Sequence, residues 1–204
     1  LLVEMLAADG VHFDEADYES LEAYCRLIEE WNESVSLVSQ GDLEQLFERH
    51  VVDSLSLAGI LRRSVRDGGK LLDIGSGAGF PAIPLKIVLP HLHLVLVERS
   101  ERKIGFLRKA VGDLGLSNVT IRHGEFPQAA ADVVADAITA RAVEDPKRLT
   151  RAILRRMPVG CTFLCQSGEG AVVKGDMFHV EHVDDAWTRR GLRRGDLRLI
   201  RRAS

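Results

Sequence analysis

From residue 70 onward, short runs of leucine, valine and isoleucine alternate with stretches of helical periodicity. Such alternation is typical of right-handed βαβ units, in which parallel strands form one sheet between helices. The predicted strands are Lys70–Ile74, Leu92–Val97, Asn118–His123, Ala135–Ala140 and Cys161–Gln166, and the predicted helices are Phe80–Leu89, Glu101–Leu114 and Asp145–Met157. Met177–Val183 and Leu197–Arg201 are predicted to add an antiparallel hairpin. The fold class is therefore α/β, a doubly wound and mainly parallel sheet.

The residues before this alternating region predict a layer of helices. Apolar residues recur at helical spacing in 14–31, where Asp14 is placed to cap the first turn, and again in 41–61. We expect an N-terminal helical layer over residues 1–66 and a core over residues 67–204. Because no long linker separates them, we expect the two parts to share one hydrophobic interior.

Charge is distributed unevenly along the chain. Residues 1–48 contain 13 acidic residues against the single base Arg26, while the remainder contains 26 basic and 17 acidic residues. The basic excess is greatest near the C-terminus, at Arg189, Arg190, Arg193, Arg194, Arg198, Arg201 and Arg202. This cluster could contact phosphates, or it could be a solvated face that balances the acidic N-terminal region. The sequence leaves both interpretations open.

Cysteine usage and hydropathy disfavour several classes of protein. Cys25, Cys161 and Cys165 are odd in number and have no CxxC spacing, which argues against a disulfide framework and a zinc site. No segment approaches the roughly 18 to 20 consecutive apolar residues of a membrane span. We therefore expect a cytoplasmic monomer with no metal and no membrane association.

Three glycines, Gly75, Gly77 and Gly79, alternate directly after the first predicted strand. Such glycines permit a sharp strand-to-helix turn and let a ligand approach the backbone closely. The spacing is GxGxG followed by Phe80-Pro81, whereas a dinucleotide site would have GxGxxG. Asp73 would repel a pyrophosphate but would suit the sulfonium and amino groups of S-adenosylmethionine. The loop predicts an adenosine cofactor and favours S-adenosylmethionine.

Residues after the next three strands extend this predicted site. Glu98 follows Gly75 by 23 residues and could accept hydrogen bonds from both ribose hydroxyls, a device that NAD sites also use. Phe126, in Phe126-Pro127, lies where an adenine ring is expected. Arg141 emerges at the carboxyl edge of the sheet, where it could hold substrate or cofactor, or instead cap a helix or form a salt bridge.

Several segments together carry a resemblance to a known family. They are Arg49-His50-Val51-Val52-Asp53-Ser54-Leu55, the run Leu72–Leu85 with its Gly-Phe-Pro-Ala-Ile-Pro-Leu end, Glu98–Arg108, Ser117–Gly124 and Ala140-Arg141-Ala142. Over about residues 20–166 the chain resembles the bacterial small-subunit rRNA guanine-N7 methyltransferases, also called the glucose-inhibited division protein B family. The likeness implies a Rossmann-like class I methyltransferase that modifies one guanine of 16S rRNA, as naked RNA or within the small subunit.

The resemblance also implies roles for particular residues. Cofactor contacts would fall on Gly75, Phe80, Phe126-Pro127 and Arg141, with Glu98 at the ribose. The family usually has a small residue and a Glu at the position of Phe126-Pro127, so a side-chain contact from that Glu is lost here. It also tends to have Lys-Gly where this chain has Gln166-Ser167-Gly168, so an RNA contact from that Lys would be absent.

N7 of guanine presents a lone pair in the major groove, so methyl transfer to it needs little general-base help. The chain accordingly has no Asn-Pro-Pro-Tyr motif for an exocyclic amine and no Pro-Cys nucleophile for a pyrimidine. Catalytic candidates are Arg141 with His50 and Arg49, which would line the target pocket, although His50 could instead be a core histidine that pairs with Asp53. Three other functions stay open: a methyltransferase for a small molecule or protein, a non-catalytic adenosine-binding module that docks on rRNA, and a nicotinamide oxidoreductase.

Overall fold

The computed structural model of the chain describes residues 1–141, 145–166 and 177–203. Its strands are β1 Lys70–Ile74, β2 His93–Glu98, β3 Val119–His123, β4 Ala137–Ala140, β5 Thr162–Gln166, β6 Phe178–His182 and β7 Leu197–Arg202. They form one sheet in the order β3-β2-β1-β4-β5-β7-β6. The first five strands are parallel, and β7 pairs antiparallel with both β5 and β6. The predicted fold class and the closing hairpin are confirmed.

The strand order reverses between β1 and β4. From β1 the chain moves outward through β2 to β3 and then returns to β4, on the other side of β1. The carboxyl ends of β1 and β4 are adjacent, with Ile74 beside Ala140. A reversal of this kind opens a crevice at the carboxyl edge of the sheet, where α/β proteins bind their ligands. The loops after β1, β2 and β4 therefore meet at one edge.

Helices cover both faces of the sheet. They are α1 Leu2–Ala8, α2 Glu15–Val35, α3 Gln40–Leu43, α4 Val52–Leu55, α5 Ala58–Ser64, α6 Ala82–Val88, α7 Glu101–Asp113, α8 Pro146–Arg156 and α9 Ala186–Arg189. The side chain of Asp14 caps α2 by accepting the backbone N–H of Asp17, and the side chain of Asp17 accepts the backbone N–H of Asp14. The predicted cap is confirmed. Among the described residues, no helix is both long enough and apolar enough to span a membrane.

Two hydrophobic clusters lie on opposite faces of the sheet. Alternation along β1 sends Leu71 into the first cluster, with Leu21 of α2 and Phe106 of α7, and sends Leu72 into the second, with Ile153 of α8. The first cluster draws residues from the N-terminal helices and from the sheet alike. The helical layer and the sheet thus share one hydrophobic interior. The boundary between an N-terminal layer of residues 1–66 and a core of residues 67–204 stays a prediction.

The prediction of one helix over 41–61 is wrong. The segment forms α3, a π-helical turn at Phe47–Val51, α4 and α5. The Ser54 hydroxyl donates to the His50 carbonyl at 2.6 Å, and the Ser56 hydroxyl donates to the Asp53 carbonyl at the same distance. Such side-chain bonds compete with the backbone ladder, and a π-helical turn changes the direction of the side chains around it. Hydrophobic periodicity does not reveal this change.

Helix α6 also differs from its predicted extent, because it begins at Ala82 rather than at Phe80. The glycine turn continues through Phe80-Pro81 before the helix starts. Pro84 falls in the first turn of α6, where a backbone N–H would have no partner within the helix, so it is tolerated there. The short helices α1 and α9 were not predicted.

Candidate active site

The glycine loop follows β1 at the carboxyl edge. The N–H groups of Gly75 and Ser76 donate to the Val97 carbonyl at 2.8 and 3.1 Å, which fixes the loop to the end of β2. Gly75, Gly77 and Gly79 have φ values of +72°, +57° and +97°. Residues with a Cβ rarely adopt these angles, so glycine is the residue that allows this turn.

Gly77 and Gly79 have different surroundings. A Cβ on Gly79 would lie 2.5 Å from Ile83 Cδ1, so that position is needed for close packing. A Cβ on Gly77 would meet nothing nearer than the Gly75 carbonyl oxygen at 3.8 Å, so Gly77 borders open space. From behind the loop, the Tyr24 hydroxyl of α2 donates to the Ala78 carbonyl at 2.5 Å. The loop is therefore held on its protein side and open on the other.

Asp73 lies beneath this loop and is almost completely buried. Its register partner on β4, Thr139, donates a hydroxyl hydrogen bond to Oδ1 at 2.7 Å, whereas Oδ2 has no hydrogen-bond partner among the described residues. Burial raises the pKa of Asp73 to about 6. A buried carboxylate oxygen without a donor is unfavourable unless a ligand supplies one. Asp73 is therefore suited to a cationic or hydrogen-bond-donating ligand group.

Glu98, at the end of β2, is also buried. One carboxylate oxygen accepts the Gly77 N–H at 2.9 Å, and the other accepts the Ser100 N–H at 2.8 Å. A carboxylate has about four lone-pair sites, so these bonds leave Glu98 able to accept further donors. It couples the glycine loop to the loop after β2 and retains the capacity to bind hydroxyl groups.

Arg141 follows β4 and forms the centre of a partly buried cluster. Its Nη1 donates to Asp53 Oδ2 at 2.7 Å, and its Nη2 lies 3.0 Å from His50 Nδ1. The His50 ring stacks on Phe80 with centroids 5.0 Å apart, and the Arg141 guanidinium lies 5.9 Å from the same ring centre. The structure thus joins a helical segment of the N-terminal layer to the edge of the sheet.

The contact with Arg141 fixes the protonation of His50. A guanidinium only donates hydrogen bonds, so Nδ1 of His50 must accept and the ring proton lies on Nε2. Burial and the neighbouring Arg141 cation both lower the pKa of His50, which keeps the ring neutral. Nε2 is buried, has no hydrogen-bond partner in the part of the chain that the structure describes, and lies 3.6 Å from Asp42 Oδ1, beyond bonding distance. His50 is an uncharged ring that packs against Phe80, and it does not pair with Asp53.

Asp53 has partners beyond Arg141. Its Oδ1 accepts the backbone N–H of Arg194 at 2.7 Å, and the Gln166 side-chain amide lies 3.4 Å from both oxygens. Ser167 and Gly168, and Ala142 after Arg141, lie outside the described residues. The carboxylate of Asp53 therefore connects α4, the ends of β4 and β5, and the tail.

Two predicted site residues lie apart from this cluster. Arg49 extends along its own helical segment, where it donates to Gln45 at 2.6 Å and to Asp42 at 3.1 Å. It does not contact Arg141, because neighbouring residues of a helical turn point in different directions. Phe126 is half-buried against the second hydrophobic cluster, and Pro127 follows it at the start of a short 3₁₀ turn. No described group of three or more His, Cys, Asp or Glu is arranged to hold a metal ion.

Sequence reasoning missed the roles of three residues that shape the site. Thr139 could have been found from strand pairing, because it stands directly opposite Asp73. Tyr24 is one of the regularly spaced apolar residues in 14–31, and nothing in the sequence signals its bond to the loop. Asp53 was considered as a partner of His50, whereas its partner is Arg141.

Residues 17–178 match the family model described as GidB, rRNA small subunit methyltransferase G. The chain belongs to this family. Its relatives named ribosomal RNA small subunit methyltransferase G include one from Sorangium cellulosum, which is 37% identical over 187 residues that cover 90% of this chain and 75% of the relative. Another, from Alkaliphilus metalliredigens, is 33% identical over 163 residues that cover 78% of this chain and 67% of the relative.

Solved structures show the same fold as this GidB-family chain at low sequence identity. A mutant of MtNAS in complex with S-adenosylmethionine has a TM-score of 0.63 and 17% identity, over 100% of this chain and 88% of that one. The precorrin-6Y C5,15-methyltransferase of Geobacter metallireducens has a TM-score of 0.51 and 18% identity, over 80% of this chain and 88% of that one. The fold is therefore that of Rossmann-like class I methyltransferases.

We expect Gly77→Val to abolish cofactor binding, because its side chain would enter the open space that Gly77 borders. Gly115→Val is the matched control, since Gly115 has a φ of +61° and no atom would lie within 4 Å of its Cβ. Both substitutions strain the backbone alike, but Gly115 lies after α7, away from the loop. Calorimetry with S-adenosylmethionine should detect binding to the control alone. Micromolar affinity in Gly77→Val would show that the cofactor lies elsewhere.

Proposed function

We propose that this chain transfers a methyl group from S-adenosylmethionine to N7 of a guanine in 16S small-subunit rRNA. One observation carries the proposal. The glycine loop and the Arg141 cluster lie together at one edge of the sheet, and the Arg-His-x-x-Asp-Ser-Leu segment supplies His50 and Asp53 to that cluster. The names of the relatives support small-subunit rRNA as the substrate. We further propose that the protein acts as a monomer in the cytoplasm, where ribosomal subunits are assembled.

The residues at the loop fit S-adenosylmethionine. The unpartnered Oδ2 of Asp73 would attract its cationic end, and Glu98 would accept hydrogen bonds from the ribose hydroxyls. The backbone of Gly75, Gly77 and Gly79 would border the ligand. Phe126-Pro127, after β3, would lie near the adenine, and its backbone would make the contacts there. When bound, the cofactor supplies an electrophilic methyl group.

The Arg141 cluster suits a base that needs orientation rather than deprotonation. Guanine N7 carries a lone pair, so no side chain has to remove a proton from it. The neutral His50 is in keeping with this chemistry. Three of the five N–H groups of Arg141 face Asp53, Ser54 and His50, which leaves two for the guanine O6 beside N7. We propose that Arg141 positions the base and that His50 and Phe80 form the apolar wall behind it.

Borohydride and aniline treatment, which cleaves RNA at N7-methylguanine, tests the proposal. We expect 16S rRNA from wild-type cells to show one cleavage site that is absent from a deletion strain. The wild-type gene should restore it, and a gene encoding Gly77→Val should not. Identical cleavage in the wild-type and deletion strains would contradict the assignment. If the purified protein then still bound S-adenosylmethionine, a small-molecule or protein substrate would be indicated.

We also expect the affinity for S-adenosylmethionine to fall as the pH is lowered through about 6. In the free protein the pKa of Asp73 is raised to about 6. A bound cation favours the ionised carboxylate, so below that pKa each further pH unit should weaken binding up to about tenfold. Calorimetry between about pH 5 and pH 7 measures this. Asp73→Asn should bind more weakly and without this pH dependence, and a flat profile in the wild-type protein would remove Asp73 from the cofactor site.

A further inference from the structure

Helix α8 presents an exposed basic surface. Between Pro146 and Arg156 the helix contains no acidic residue. Its five cations, all exposed, are Lys147, Arg148, Arg151, Arg155 and Arg156. Lys147, Arg151 and Arg155 are spaced four residues apart, so they form a row along one side of the helix. We call these five residues the α8 basic face.

The α8 basic face differs from the arginine cluster of the tail. In the tail, Arg193 is buried and pairs with Asp185, while Arg189 pairs with Asp184 and Arg201 with Glu181. By contrast, none of the five α8 cations forms a salt bridge with any described residue. The cations of α8 are therefore more available to an external anion than Arg189, Arg193 and Arg201.

The positions of two of these cations oppose local helix stability. Lys147 and Arg148 lie in the first turn of α8, where the helix dipole disfavours positive charge. Asp145 caps this turn by accepting the Arg148 N–H at 2.9 Å, but no acid lies within the turn itself. Arg155 and Arg156 lie in the last turn, where the helix dipole favours positive charge. A cation in the first turn has no such explanation, which points to an external anion.

The two faces of the sheet carry opposite charge. Helix α2 packs with α6 and α7 over the first hydrophobic cluster, and the N-terminal 48 residues that include it hold 13 acids and one base. Helix α8 covers the second cluster on the other face. A polyanion would be repelled from the α2 face and attracted to the α8 face. Charge thus sets which side of the protein a nucleic acid can approach.

The α8 basic face begins beside the candidate active site. Arg141 and Asp145 are four residues apart, so their Cα atoms are separated by at most about 14 Å. Lys147 and Arg148 follow immediately. We propose that α8 binds the phosphate backbone of the RNA strand next to the target guanine, an inference that rests on the proposed function.

The composition of α8 favours RNA over a membrane or a protein as the partner. Its larger apolar residues, Leu149, Ile153 and Leu154, belong to the second hydrophobic cluster or pack against it. A membrane-binding helix would expose apolar side chains beside its cations, and a protein-binding surface is usually centred on aromatic residues. The exposed side of α8 offers cations without either feature. Contacts made by charge alone are typical of phosphate binding.

The test is a variant with Lys147→Gln, Arg151→Gln and Arg155→Gln. Glutamine is a good helix former, and the three positions are exposed, so we expect α8 to fold normally. The control removes three charges that form salt bridges elsewhere, through Arg26→Gln, Arg189→Gln and Arg201→Gln. Dissociation constants for a 16S rRNA fragment are measured at several salt concentrations, and S-adenosylmethionine binding is measured in parallel.

Each phosphate contact to a single strand contributes about 0.7 to the slope of log K against log salt concentration. We expect the slope of the α8 variant to be smaller in magnitude by about 2, since three contacts are removed. The variant should bind RNA at least tenfold more weakly at low salt and should bind S-adenosylmethionine normally. The control should keep the wild-type slope. An unchanged slope in the α8 variant, or an equal loss in the control, would overturn the inference.

Two further results separate this inference from others. If the wild-type protein methylates rRNA while the α8 variant matches it in RNA affinity and KM, the inference about α8 fails and the proposed function stands. If the wild-type protein binds S-adenosylmethionine but neither binds nor methylates rRNA, the proposed function fails. Normal binding of naked rRNA by the α8 variant, with activity lost only on assembled subunits, would indicate a ribosomal protein as the partner of α8 and contradict RNA contact.

Discussion

The buried ion pair between Asp53 and Arg141 connects the two parts of this protein. Their side chains are 4% and 16% exposed, so water solvates neither charge well and each is stabilised by the other. Removing one partner of such a pair typically costs about 3–5 kcal/mol, because the remaining charge stays buried. Asp53 also accepts the backbone N–H of Arg194 and faces the amide of Gln166. One carboxylate thus fixes an N-terminal helix, the ends of two strands and the tail.

This connection makes the N-terminal layer part of the site. The Rossmann-like sheet alone provides the glycine loop, Asp73 and Glu98, which suit an adenosine cofactor. The second wall comes from α2 and the π-helical turn, because Tyr24 supports the loop and His50 covers Phe80. The cofactor site of the sheet thus lies beside a wall of His50 and Phe80 that suits one flat base. The acidic α2 face and the α8 basic face give the same molecule a direction for RNA approach.

The elements that the sequence predicted well are those with strong local patterns. All five parallel strands appear within about two residues of their predicted limits, because apolar runs end at glycine or polar turns. Asp73, Glu98 and Arg141 fall at the carboxyl edge for the same reason, since parallel strands end together. The break in 41–61 was not predictable, because hydrophobic periodicity does not show where the Ser54 and Ser56 hydroxyls bond to the backbone and compete with the helical ladder. Partners such as Asp53 with Arg141 depend on tertiary packing across 88 positions of sequence.

Asp53 acts through Arg141, as a positioning residue for the group that we propose holds the target base. The most direct measurement is the rate of methyl transfer to 16S rRNA by Asp53→Asn, by Arg141→Gln and by the double variant, in samples that bind S-adenosylmethionine normally. If the two residues act as one unit, the double variant will be no slower than the slower single variant. Losses that multiply in the double variant would show independent roles and contradict the account.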